Sequence, residues 1–175
     1  MTRNSFRSLL VIAAAIVFTS CSETPSNNTP TLESSNPEAS FERTLEVLPD
    51  SAFKQQLTPV SPPATMAPGS RVDLTVRVKN TSDTTWPVRG RVGDGYYQVN
   101  LGDRWIDAEN KDVKVDERAF LPRAMKPGEE AELPFILIAP PRVGDYTVEF
   151  DMVQEGVAWF SQKGATPTRL TIKVQ

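Results

Sequence analysis

The sequence predicts an all-β domain, an antiparallel β-sandwich of immunoglobulin type, and three observations carry that expectation. Apolar residues recur with period two in run after run, turn residues separate the runs at short intervals, and no window of ten or more residues has the spacing of an amphipathic helix. About seven strands with turns every 8 to 12 residues are what such a sandwich requires.

The runs follow in chain order. Phe53 and Leu57, set between Pro49 and Pro59, predict a leading edge strand, where proline also discourages edge-to-edge pairing. Val72, Leu74, Val76 and Val78 alternate with Arg71, Asp73, Thr75, Arg77 and Lys79, the mark of one buried and one wet face. Tyr97, Val99 and Leu101 form another run, and Val113 and Val115 a short one. Ala131, Leu133, Phe135 and Leu137 follow, with Ile136 and Ile138 making the second face apolar too. Tyr146, Val148, Phe150 and Met152, then Leu170, Ile172 and Val174, complete the set. Pro68-Gly69, residues 80–83, Gly93 to Gly95, Pro127-Gly128, Pro140-Pro141, Val143-Gly144 and Glu155-Gly156 supply the turns.

The domain is expected over residues 41–175, and what precedes it has a different composition. Residues 1–20 carry Arg3 and Arg7 and then the apolar run Leu9 to Phe18, which is signal-peptide architecture and too short for the ~20 residues that span a bilayer. The only cysteine of the chain comes next, and Phe18-Thr19-Ser20-Cys21 resembles a bacterial lipobox, with Phe18 where that pattern prefers Leu. The resemblance implies a lipoprotein with palmitate or a similar acyl group on Cys21, membrane attachment through that lipid, and a cell-envelope location. Ser22 rather than Asp after the cysteine implies the periplasmic side of the outer membrane where a cell has two membranes. A conventional signal peptide with an incidental cysteine is the competing reading, and position, uniqueness and flanks favour the lipoprotein. Residues 21–40 join Cys21 to a stretch in which Ser, Thr, Asn and Pro dominate, too polar to offset chain entropy, and are expected to be a disordered tether with a reach of roughly 25 Å.

Composition excludes several chemistries. The 175 residues contain no histidine, so Ser-His and Cys-His nucleophile pairs and His-ligated metals are ruled out, and a lone Cys makes neither an internal disulfide nor a thiolate cluster. The formal charge is −3, and removal of residues 1–20 leaves 17 basic against 22 acidic side chains, a net charge of −5, which gives no electrostatic footprint for nucleic acid. No cofactor and no metal are expected. Asp94, Asp103, Asp107, Glu109, Asp112, Asp116 and Glu117 are numerous, but their spacing selects no pair for glycoside hydrolysis. Asp107-x-Glu109-x-x-Asp112 lacks the glycine-containing loop of hand-shaped calcium sites.

Three segments resemble a known module: Pro68-Gly69-Ser70 running into Val78-Lys79-Asn80-Thr81-Ser82 and Trp86-Pro87; Val99 to Asp107 with Phe120-Leu121-Pro122-Arg123 and Met125 to Glu129; and Ala139-Pro140 with Gly144-Asp145-Tyr146 and Asp151 to Phe160. They are similar to a bacterial immunoglobulin-like module attached to glycosyltransferases and methyltransferases of surface-polysaccharide pathways. The Asn80-Thr81 to Trp86-Pro87 portion also resembles the four-tryptophan domain of autophagy cargo receptors. The resemblance runs from Pro68 to the C-terminus, and Val153 to Phe160 is its most specific string. It implies the sandwich fold and an accessory role beside glycan-handling enzymes, although this chain carries no catalytic neighbour.

The candidate ligand or partner surface is Trp159, Phe160, Gln154, Glu155, Trp86 and Trp105. Aromatic faces stack on sugar rings or anchor protein partners. For Trp86 and Trp105 the simpler reading is packing at strand ends. On a strand Trp159 and Phe160 face opposite ways, so one of the two should leave the core. Arg104, Arg118 and Arg123 form a candidate polar patch or a solvated face. The expected function is a membrane-anchored, non-enzymatic binding module contacting an envelope protein or glycan. The alternatives are a two-carboxylate polysaccharide hydrolase and an assembly or inhibitory partner of an envelope enzyme.

Overall fold

The computed structural model describes residues 46–113 and 116–175, so the signal peptide, Cys21, the tether and Val115 lie outside the described residues. Ten strands are described: β1 (Gln55–Val60), β2 (Thr65–Met66), β3 (Arg71–Asn80), β4 (Val99–Ile106), β5 (Asp112–Val113), β6 (Arg118–Phe120), β7 (Glu130–Ile138), β8 (Gly144–Gln154), β9 (Ala158–Trp159) and β10 (Thr168–Val174). They form two sheets, one ordered β1-β3-β7 and the other β2-β10-β8-β4-β5, with β6 on β4 and β9 on β8. Pairing is antiparallel except between β10 and β2. The expected sandwich is therefore the observed fold.

The alternating runs bury one face as their period requires. Leu74, Val76 and Val78 from β3 and Leu133, Phe135 and Leu137 from β7 meet Leu101 and Trp105 from β4, Val148, Phe150 and Met152 from β8, and Ile172 and Val174 from β10. Phe135 and Phe150 bridge the two sheets edge to face at 5.4 Å, a favoured aromatic geometry. A second aromatic group closes one end, where Phe160 sits 4.9 Å from Phe53 and 5.2 Å from Trp86.

The leading strand comes where it was expected, but it begins at Gln55, and Phe53 is a buried core residue ahead of it. Pro59 and Pro134 lie in β1 and β7, the outer strands of the three-stranded sheet, where a missing N–H costs least. Tyr97 does not belong to a strand. It takes a left-handed backbone (φ 72°) just before β4, and its N–H donates to Glu155 O at 2.9 Å. Strands β2, β6 and β9 were not expected, since two or three residues show no period.

One consequence of register positions the site. Cross-strand partners share a face, and three rows form on the outer face of the larger sheet. Trp159, Val153, Asn100 and Phe120 make the first, from β9 to β6. Asp151, Gly102 and Arg118 make the second, and Arg169, Glu149 and Arg104 the third.

Candidate functional site

The six candidate surface residues separate into two groups. Trp86, Trp105 and Phe160 are fully buried and present nothing to a ligand, and Gln154, although it borders the groove beside Trp159, is buried with its amide used internally, which corrects their assignment to a recognition surface. Trp86 faces the core because it pairs with Met125 across an isolated bridge, and its indole N–H donates to Ala52 O at 3.0 Å. Trp105 occupies the inward face of β4, with its N–H on Asp103 Oδ2 at 2.9 Å and its ring against Tyr146. Phe160 turns inward at the start of a 3-10 turn (Phe160–Lys163), as alternation after Trp159 demands. Gln154 ties together segments distant in sequence: its Oε1 accepts from Leu48 N–H at 2.9 Å, and its Nε2 donates to Glu46 O at 2.7 Å and Tyr97 O at 3.2 Å.

Trp159 and Glu155 remain half-buried at the surface. From β9 the Trp159 ring crosses β8 to lie over Gly102 of β4. A Cβ on Gly102 would stand 2.7 Å from both Trp159 Cη2 and Arg118 Nη1. Two guanidinium groups frame the ring, with Arg118 Cζ 4.6 Å and Arg104 Cζ 5.4 Å from its centroid, a favourable cation–π arrangement. Glu155 Oε1 gathers the rim, accepting from Asn100 Nδ2 and Arg118 Nε at 2.9 Å each. An open groove of about 260 Å³ runs alongside, lined by Arg118, Glu155, Gly156, Val157, Trp159 and Gln162.

The charges around this face are matched. Arg118 pairs with Asp116 as well as Glu155. Burial opposes its charge, but the two carboxylates outweigh that and hold the guanidinium above its ordinary pKa. Glu149, which is buried, accepts from Arg104 at 2.6 Å and from Arg169 Nε at 2.5 Å. Two buried polar atoms have no hydrogen-bond partner among the described residues, Asn100 Oδ1 and Arg104 Nε.

Of the three candidate arginines, the structure brings Arg104 and Arg118 to Trp159, whereas Arg123 is exposed and lies 3.9 Å from Glu129. Of the acids, Asp94 pairs with Arg91 and accepts from Tyr96 N–H, and Asp107 Oδ1 closes a turn by accepting from the N–H groups of Glu109 and Lys111. Asp103 is in the core, where burial pushes its carboxyl up to about 7 against the opposing pull of Glu117 N–H and the Trp105 indole. Among the described residues no group of three or more Cys, Asp or Glu side chains is placed to hold a metal ion.

Sequence reasoning missed Asn100, Gly102, Glu149 and Phe120 as members of this face. The available signal was alternation itself, because Asn100, Gly102 and Arg104 are the outward positions of a strand whose inward ones are Val99, Leu101, Asp103 and Trp105.

A family model described as the Ig-like domain from next to BRCA1 gene matches residues 60–169, more than half of the chain. No curated protein matches. Among solved structures, the sporulation control protein Spo0M of Bacillus subtilis is 18% identical at a TM-score of 0.41, the match covering 70% of this chain and 50% of that one. A β-glucosidase of Listeria innocua is 17% identical at 0.41, over 69% of this chain but 16% of the enzyme. The CARDB domain of a Pyrococcus furiosus protein is 14% identical at 0.43, over 69% of this chain and 94% of the domain. At such TM-scores these likenesses carry no functional argument. The chain spans half of Spo0M and a small part of the glucosidase.

Proposed function

Since the chain belongs to the family of the Ig-like domain from next to BRCA1 gene, we propose that it is a non-catalytic binding module, presented on the bacterial cell envelope and contacting an envelope partner through the face around Trp159. The observation that carries this reading is the division among the tryptophans. Trp86 and Trp105 are spent on the core, whereas Trp159 stays half-buried on an outer sheet face, its ring edge against Gly102 and two guanidinium groups over it. A braced aromatic ring loses little entropy on binding and offers a large contact area, the property that makes tryptophan a frequent anchor.

The anchoring half of the proposal rests on the lipobox-like Phe18-Thr19-Ser20-Cys21. Acylation of Cys21 with a second chain on the same residue gives stable attachment where one chain is marginal. The polar tether over residues 21–40 then frees the domain to meet partners on the periplasmic side of the outer membrane. The test is crosslinking in intact cells through a photoreactive residue at Val157, which lines the groove. Capture of a defined envelope component by the wild-type background, lost on Trp159→Ala with an unchanged circular dichroism spectrum, is the expected result. Undiminished capture by Trp159→Ala would overturn the assignment of this face.

A further inference from the structure

The polar groups around Trp159 are mismatched in a way that points to the ligand. The three guanidinium groups of Arg104, Arg118 and Arg169 are answered by Glu149, Glu155 and Asp116. With Asp151 a further carboxylate on the same face, no surplus positive charge remains to recruit a polyanion or an acidic peptide. What remains unanswered is one acceptor and one donor, Asn100 Oδ1 and Arg104 Nε–H, on either side of Gly102. Asn100 is only 2% exposed, so its unpaired oxygen is a cost that a bound group would relieve. Hydroxyls both donate and accept, so separate hydroxyls of one ligand answer the two atoms, which lie four residues apart on β4.

The apolar part of the face has a matching shape. Phe120 is 65% exposed and belongs to the same cross-strand row as Trp159, with Asn100 between them. Their backbones are three strand spacings apart, but the Trp159 ring reaches across β8 to Gly102, one strand from β6, so the two rings are separated by roughly 8 Å, about the length of one to two pyranose rings. The C–H face of a sugar stacks on such rings because its edge is electropositive and the ring face is negative.

We propose that the outer face of β4, β6, β8 and β9 is a subsite for a short neutral oligosaccharide, with Trp159 and Phe120 as stacking platforms and Asn100, Arg104, Arg118 and Glu155 as hydroxyl contacts. This rests on the binding-module reading above and gives its ligand a chemical class. Arg118, with its side chain 24% exposed and tied to Asp116 and Glu155, covers Gly102, so a ligand reaches Asn100 and Arg104 only by replacing those ion-pair contacts with its own hydroxyls.

The experiment uses the full chain in detergent and four probes: maltohexaose, cellohexaose, hexa-N-acetylchitohexaose and hexagalacturonate. Trp86 and Trp105 are buried, so acrylamide quenching of tryptophan fluorescence reports mainly on Trp159. At least one neutral probe should protect Trp159, with an affinity unchanged between low and high salt because no net charge is involved. Trp159→Ala should weaken binding about tenfold or more and Trp159→Tyr much less. Phe120→Ala, at an exposed position that does not threaten folding, should weaken it about fivefold. Preference for hexagalacturonate with strong salt dependence would overturn the neutral-sugar assignment. Protection by none of the neutral probes, while the crosslink at Val157 still captures an envelope protein in a Trp159-dependent way, would overturn the sugar inference and leave the binding module standing. Failure of both would remove both.

Discussion

Gly102 lies beneath the ring of Trp159, and the two residues define each other's positions. An added Cβ would come within 2.7 Å of Trp159 Cη2, 2.9 Å of Cζ3 and 2.7 Å of Arg118 Nη1. Neither neighbour has room to yield without leaving the other, since Arg118 is itself held by Asp116 and Glu155. Gly102→Ala is therefore expected to lift the ring and the guanidinium off β4 together, at about 1–3 kcal/mol of stability. Urea unfolding measures the loss, and increased acrylamide quenching of Trp159 in the folded variant shows that the ring has moved.

Asp103 gives the domain a pH dependence whose sign follows from its burial. Its carboxyl is raised from 3.8 to about 7, burial being the main cause. The neutral form is the one the fold prefers, so this residue's contribution is full below pH 4 and is lost as pH rises through about 7. Asp103→Asn keeps a neutral group of the same shape. It gives up one of the two hydrogen bonds that Asp103 accepts from Trp105 Nε1 and Glu117 N–H, a cost independent of pH. The expected outcome is a change in slope: between pH 5 and 8 the variant should gain on the wild type by up to about 3 kcal/mol. Parallel stability curves from chemical unfolding at several pH values would show that the carboxyl titrates normally.

Trp159 and Phe160 are adjacent in sequence and opposite in role. Phe160 is fully buried against Phe53 and Trp86, so Phe160→Ala should cost about 3–5 kcal/mol, the usual effect of emptying an aromatic site in a core. Trp159→Ala removes a half-exposed ring from the outside of a sheet and should cost only about 1 kcal/mol. Equal destabilisation by the two substitutions, measured by urea unfolding, would make Trp159 a structural residue and withdraw it from the contact surface.

Legibility followed the length of each element. Strand β3 could be read from Arg71–Asn80 directly, because ten residues with one wet face leave little ambiguity in period. Strands β6 and β9, of three and two residues, carry no period of their own, and their places come from pairing with β4 and β8. The same limit applies to the site. Trp159 and Arg118 were visible as residue types, but their meeting over Gly102 depends on register across four strands, which no local pattern encodes. Gln154, beside the Glu155-Gly156 turn, reads from sequence as a candidate for the ligand or partner surface. Its burial is decided by Glu46, Leu48 and Tyr97, distant in sequence, whose backbone groups need its amide.

The proposed attachment makes its own prediction at Cys21. An acyl chain contributes ~0.8 kcal/mol for each buried CH₂, and two or more chains hold a protein on a membrane that one chain holds only reversibly. Among the described residues no helix is long and apolar enough to cross a bilayer. Cys21→Ala should therefore abolish incorporation of a palmitate analogue and move the chain from the membrane pellet to the soluble fraction, with the sandwich still folded by circular dichroism. Removing residues 22–40 while keeping Cys21 should have the opposite profile: label and pelleting retained, and crosslinking through Val157 reduced because the domain no longer reaches its partner. Label retained by Cys21→Ala would overturn acylation at Cys21, and absence of label from the wild type would assign residues 1–20 to a conventional signal peptide. Partner capture would then have to proceed without a lipid holding the Trp159 face near the membrane.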